Sequence, residues 1–378
     1  MKVLHLTSHL NVGGVTSYTL TLAAALARRG HHVRIASGGG SLEGRAESLG
    51  VTVWRVPLHT SVEFSPQVLL ATRQLDARLR AEPVDLLHAH TRVGQVVADR
   101  LARRLRLPYV TTWHGFFRPN LGRTLWPCTG LRTIAISEPV RQHLLATFRV
   151  PPERVRLIPH GIDPTPFESS PDPSARQRLR ERLGLPSDAP VVGTVARLVA
   201  SKGVEVLIRS LPAIRASVPD ARLLIVGDGE ARGPLERLAA GLGLDRAVSF
   251  AGALPDIAAA LSLMHVYVFL PADREGFGLS LLEAMASGRP IVAVRRGQGA
   301  TWVLEESGVG TLVEEGDPSA LARGITRLLQ DGEAACRMAG QARAIVRERY
   351  ALDRMVDQVE AVYRELVDAS HAPAVLRP

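Results

Sequence analysis

Short apolar, β-branched segments alternate with stretches whose apolar residues recur every three or four positions, from the first residues almost to the end of the chain. Segments of the first kind have the length of strands buried on both faces, and the second kind have the period of amphipathic helices. The pattern therefore predicts parallel sheets covered by helices on both sides. In the first half, strands are expected at 2–7, 32–36, 51–56, 85–89, 109–113, 132–136 and 155–159, with helices such as Tyr18 to Arg29 and Val96 to Leu105 between them. A second series is expected at 190–195, 221–226, 247–251, 266–270, 290–294 and 309–313. After Ala334 the pattern is helical, interrupted only near Tyr350–Asp353. The breaker-rich stretch from Asp163 to Pro173 lies between the two series and is expected to be a linker. A chain of 378 residues exceeds one ordinary core. The expected organisation is α/β, with two doubly wound domains at 1–165 and 174–350. Ligands of such sheets sit beyond the carboxyl ends of the strands, so two domains facing each other would make a cleft.

Composition narrows the partners. Apolar residues make up 46% of the chain, yet no uninterrupted apolar run approaches the ~20 residues of a membrane-spanning helix. The first residues enter a strand directly, without the apolar segment of an export signal, and Cys128 and Cys336 have no neighbouring cysteine. A cytoplasmic protein with free thiols is expected. Residues 1–165 hold 21 Lys and Arg against 10 Asp and Glu, and the remainder 25 against 27. The basic half, in a chain only 4% aromatic and without a nucleic-acid motif, points to an anionic membrane surface or a phosphorylated acceptor rather than nucleic acid. Only Lys2 and Lys202 are lysines among 46 basic residues, a bias typical of a GC-rich genome that makes the one internal lysine conspicuous.

Four segments carry candidate chemistry. Arg274–Pro290 follows an expected strand and opens a helix; Gly276 and Gly278 allow close backbone approach, and Ser280 is expected to cap the helix. Glu275 and Glu283 flank the helix start, spaced to hold two ends of one polar ligand. Taken singly, they also fit a loop carboxylate and a solvated helix position. In Val191–Gly203, Arg197 and Lys202 lie on the loop after a strand and can clamp a diphosphate; a solvated pair at a helix start is the plainer alternative. Gly13–Gly14 sits between the first strand and the first helix, where it can admit a phosphate or acceptor or simply form a tight turn. It lacks the third glycine and the downstream acid of a dinucleotide fingerprint, which disfavours NAD. His114 ends the strand Thr111–Trp113, where it either points into the ligand site or packs structurally. His88 and His90 share a strand face, but no third ligand has matching spacing, so no metal site is expected.

Together with Ile158–Asp163 and Val226–Gly229, these segments resemble glycosyltransferase family four (group 1), the retaining GT-B enzymes, over nearly the whole length. The resemblance implies a GT-B fold of two Rossmann-like domains, with a C-terminal helix at 351–370 packing back on the first, acceptor-binding domain. It implies that Glu275, with the backbone N–H groups of Phe277, Gly278 and Leu279, holds the donor sugar and distal phosphate, and that Glu283 binds the ribose. Arg197 and Lys202 would neutralise the departing diphosphate in place of the magnesium that GT-A enzymes hold with Asp-x-Asp, a motif this chain lacks. The backbone near Leu254 would meet the base, Gly13 and Gly14 the phosphates, and His114 the sugar or attacking hydroxyl. The implied enzyme needs no cofactor beyond its nucleotide diphosphate-sugar donor, and its expected acceptor is a lipid-linked or phosphorylated glycan at the inner membrane face. Trp113–Ser137 is also similar to bacterial transferases of lipopolysaccharide core and surface glycans. His160 replaces the family's usual Asn, and Gln298–Trp302 replaces a Gly-Gly-x-Pro-Glu stretch, so no carboxylate role passes to Trp302. A sugar-nucleotide epimerase and a non-catalytic sugar-nucleotide binder share this architecture; a pyridoxal-phosphate phosphorylase would need a lysine that only Lys2 or Lys202 could supply.

Overall fold

The computed structural model describes residues 1–168, 172–254, 256–296 and 299–371. Among them, thirteen strands form two parallel sheets. The first has β1 (Lys2–Leu6), β2 (His32–Ser37), β3 (Thr52–Arg55), β4 (Leu86–Ala89), β5 (Tyr109–Trp113), β6 (Arg132–Ala135) and β7 (Val155–Leu157), in the order β3-β2-β1-β4-β5-β6-β7. The second has β8 (Val191–Val195), β9 (Arg222–Val226), β10 (Val248–Gly252), β11 (Val266–Phe269), β12 (Ile291–Arg295) and β13 (Thr311–Glu314), in the order β10-β9-β8-β11-β12-β13. Each lies within about two residues of the span that periodicity predicts. Every side chain of β4, β5 and β11 is buried, as strands covered on both faces require.

The chain divides into two compact units, one of Met1–Gly161 with the chain from Asp353, the other Ile162–Leu352. Each has its own core, built in the first around Leu4, Leu6, Val96 and Leu101 and in the second around Val192, Ile208, Ile225 and Val268. Helix starts follow side-chain caps: Ser65, Thr91 and Asp317 accept the N–H groups of Val68, Gly94 and Ala320. Each such cap contributes about 1 kcal/mol. In the last helix, Leu352–His371, Asp353, Asp357 and Glu360 pair with Arg29 at 3.3, 2.5 and 3.1 Å, and the buried Tyr363 hydroxyl meets His88 Nδ1 at 2.5 Å. Part of the expected linker is helical, at Thr165–Glu168 and from Pro173, where Asp172 caps the helix Pro173–Arg182; 169–171 lie outside the described residues. No helix among the described residues is long and apolar enough to cross a membrane.

Strand order reverses between β1 and β4 in the first sheet and between β8 and β11 in the second. The loops leaving these four strands are therefore where each unit can hold a ligand.

Candidate active site

In the second unit, β8 and β11 pair at Val192–Val266 and Gly193–Tyr267, so their outgoing loops emerge side by side. The β8 loop carries Arg197 and Lys202, and the β11 loop carries Glu275. Lys202 Nζ donates to Glu275 Oε2 at 2.6 Å, and the Ala272 N–H donates to the same oxygen at 3.0 Å. Their side chains are 13% and 23% exposed, shielded enough to strengthen the pairing yet open to a ligand. Arg197 is exposed and has no ion pair or hydrogen-bond partner for its guanidinium among the described residues. The path of the β8 loop depends on a glycine: Gly227 has φ +129°, and a Cβ there would lie 1.9 Å from Ala196 O.

The helix Leu279–Ala286 begins at Gly278 with no side-chain cap. Gly278 is required, because a Cβ would lie 2.5 Å from Phe269 Cζ. Ser280 is not the cap expected from sequence; it lies inside the helix, and its hydroxyl accepts a bond from Tyr267 Oη–H at 3.0 Å. The Leu281 N–H bonds Gly278 O at 3.1 Å, and that of Leu279 is left to whatever anion or hydroxyl approaches. Phe277 is buried with its ring 6.5 Å from Trp302 and 5.9 Å from Tyr350, so it can offer a ligand backbone rather than side chain. Burial pushes the Tyr267 phenol up, and the charges of Glu283 and Glu275 add to the push. Glu283 itself makes no side-chain hydrogen bond among the described residues, and desolvation pushes its carboxyl up to about 7. Leu254 is half-buried just past β10, two strands from β8; its neighbour Pro255 and Gln298 lie outside the described residues.

In the first unit, Gly13 precedes and Gly14 opens the helix Gly14–Arg28. Gly13 is extended at φ 164°, and a Cβ on either residue would meet nothing within 4 Å. The protein's own packing thus does not require these glycines. Beside them is a histidine network that sequence spacing did not reveal. His5 on β1 lies directly opposite His88 on β4, and nitrogens of His5, His88 and His90 lie within 4.8 Å of one another. The third histidine sought by spacing comes from a neighbouring strand; the sheet order alone would have found it. Most of these nitrogens are already engaged: His5 Nδ1 bonds His90 Nε2 at 2.8 Å, and His88 bonds Tyr363 Oη at 2.5 Å and Thr112 Oγ1 at 2.7 Å, while the buried His5 Nε2 makes no hydrogen bond among the described residues. His90 Nδ1 continues the chain to His114 Nε2 at 3.4 Å. The arrangement reads more simply as neutral, hydrogen-bonded imidazoles than as a converging ligand set. Burial lowers His5 and His114 to about 3 and holds His88, His90 and His160 well below their usual value. His160 is stacked on Tyr18 at 4.6 Å, with its ring 5.5 Å from His114.

Residues 175–345 match the family model for glycosyl transferases group 1, and residues 12–165 match that for glycosyltransferase family 4. The chain is 32% identical over 347 residues to a GDP-mannose-dependent alpha-(1-6)-phosphatidylinositol monomannoside mannosyltransferase of Mycolicibacterium smegmatis, covering 86% of this chain and 88% of that one. Among solved structures, a glycosyltransferase from Rickettsia africae superposes with a TM-score of 0.87 at 22% identity, over 97% of this chain and 98% of that one. Anabaena HepE, solved with UDP-glucose, superposes with a TM-score of 0.83 at 24% identity, over 97% and 100%. The two matched families, the mycobacterial relative and the pair of doubly wound sheets lead to one conclusion: the protein is a GT-B-fold glycosyltransferase of family 4, group 1.

Proposed function

We propose that the protein is a retaining, metal-independent hexosyltransferase that moves a sugar from a nucleotide diphosphate-sugar to a hydroxyl of a glycolipid or polysaccharide-precursor acceptor. The observation that carries this reading is the Lys202–Glu275 pair, 2.6 Å apart where β8 and β11 end, beside a helix start with no side-chain cap. When a donor arrives, the ammonium is free to turn from Glu275 to the pyrophosphate, and the carboxylate to accept the sugar hydroxyls. Arg197, exposed and without a partner among the described residues, supplies a second mobile cation. Glu283 accepts the ribose hydroxyls, Phe277, Gly278 and Leu279 present backbone to the distal phosphate, and Leu254 lies by the base.

Charge builds on the leaving phosphate as the glycosidic bond breaks, and a preorganised cation there is worth about 3 kcal/mol in the transition state. No carboxylate is assigned as nucleophile, so the acceptor hydroxyl attacks from the face the diphosphate leaves, and the phosphate takes its proton. His114 is neutral, as a partner for the attacking hydroxyl needs to be, and Gly13 and Gly14 leave room for a phosphate or acceptor. HepE, bound to UDP-glucose, supports the donor class, and the mycobacterial enzyme, named for a phosphatidylinositol mannoside, supports an anionic lipid acceptor. An inner-face peripheral location fits Leu121 and Leu125, each 76% exposed, and Phe64, 61% exposed and stacked on Trp126 at 6.0 Å.

The test is NMR of the product formed from a donor chosen by thermal-shift screening of nucleotide sugars. The expected product keeps the donor's anomeric configuration and forms only with acceptor present. Inversion would overturn the stereochemical claim, and conversion of the donor without acceptor would overturn transfer itself in favour of epimerisation.

A further inference from the structure

We propose that Arg296 is a positioning residue that braces the two donor-site loops together and so fixes where the Lys202 ammonium sits. Arg296 follows β12, which pairs with β11 on the side away from β8. Its Nη1 donates to Ser201 O at 3.1 Å, one residue before Lys202 on the β8 loop. Its Nε lies 2.9 Å from Asp273 Oδ1, two residues before Glu275 on the β11 loop. The same nitrogen lies 2.7 Å from Glu315 Oε1, just past β13. One guanidinium thus holds the β8 loop by a hydrogen bond and pairs by charge with Asp273 and Glu315 through an Nε that makes no hydrogen bond among the described residues. The seat is tight: a Cβ on Gly203, which has φ +63°, would come within 3.0 Å of Arg296 Nη1. Arg296 is 21% exposed, whereas Asp273 and Glu315 are 70% and 49% exposed, so Arg296 is the most shielded of the three charges. Arg296 lines one small cavity with Lys202, Gly203, Leu270, Pro271 and Glu315.

This inference rests on the reading of Lys202 as the cation that meets the leaving diphosphate. Displacing such a group by about 1 Å can cost up to roughly a hundredfold in rate. The test measures kcat, donor KM and thermal midpoint for Arg296→Ala, Arg296→Lys and Glu315→Gln, and for Arg296→Ala combined with Lys202→Ala. Expected are a fall in kcat of about tenfold or more for Arg296→Ala, with donor KM changed about twofold at most, and partial recovery in Arg296→Lys. Glu315→Gln, which weakens the anchor past β13 but leaves the contacts of Arg296 with both loops, lowers kcat less than Arg296→Ala does. The double variant is no slower than Lys202→Ala alone, because Arg296 acts through that lysine. A normal kcat in Arg296→Ala beside an impaired Lys202→Ala overturns the brace alone, as does full additivity in the double variant. Normal turnover in Lys202→Ala overturns the donor reading and the brace with it. Should Arg296→Ala fail to fold, Arg296→Lys carries the comparison: a wild-type kcat there overturns the brace, and a lowered kcat at an unchanged thermal midpoint supports it.

Discussion

Glu283 accepts hydroxyl donors only as a carboxylate, and burial pushes its carboxyl up to about 7. The sign follows directly: the raised value favours the fold most at low pH and loses that contribution as pH rises through about 7, the same range in which the charged form needed for a ribose appears. Donor affinity measured by calorimetry should therefore weaken about tenfold between pH 8 and pH 6, and Glu283→Gln should bind weakly at both and lose the dependence. A flat wild-type profile would contradict the assignment. Lys202 differs in kind. Its pairing with Glu275 is an ion pair at rest, and its value lies in what the ammonium does once the diphosphate charge develops. That 44 of the 46 basic residues are arginine made Lys202 stand out in the sequence, and the same abundance concealed Arg296, one arginine among many until its three partners are seen.

Among the elements, β1, β4 and β5 bring the histidines together, and their burial has a consequence for the whole fold. His5, His88 and His90 are at most 1% exposed, and desolvation holds each below its ordinary 6.5. The unfolded chain takes up protons below that value and the folded one resists, so stability is intact above pH 6.5 and falls progressively toward pH 3. By pH 5 the loss is about 2 kcal/mol per histidine, enough to lower the thermal midpoint markedly; a midpoint unchanged between pH 7.5 and pH 5 would contradict this burial. The strands were legible because parallel sheets covered on both faces leave continuous apolar runs, as in β11. Three features were not. His5 meets His88 through sheet adjacency, which spacing along the chain cannot express. Ser280 looked like a cap because Ser favours that position, but the Phe269 ring fixes Gly278 at the helix start and Tyr267 takes the serine hydroxyl. The prolines of 163–173 suggested a continuous linker, yet Pro166 and Pro173 sit in first helical turns, where a missing N–H costs nothing.

For the molecule as a whole, the basic charge belongs to the first 165 residues, and the exposed Val62, Phe64, Leu69, Leu70, Leu121 and Leu125 belong there too. Arginines beside exposed apolar side chains suit an anionic lipid surface. Flotation with vesicles should recover the protein on anionic membranes and far less on neutral ones, and Leu121→Ser with Leu125→Ser should reduce that recovery; equal recovery on both membranes would remove the surface from the account. The second unit, Ile162–Leu352, carries no such excess, with 22 basic against 23 acidic residues, so in the proposed reading its hold on a pyrophosphate comes from local placement of Lys202 and Arg197. The most direct measurement is release of nucleoside diphosphate from a saturating sugar donor, with acceptor and excess EDTA, by the wild-type protein and by Lys202→Ala. The account predicts wild-type turnover indifferent to EDTA and a loss of roughly a hundredfold or more in the variant. A wild type silenced by EDTA, or a variant working at near-normal rate, would contradict it.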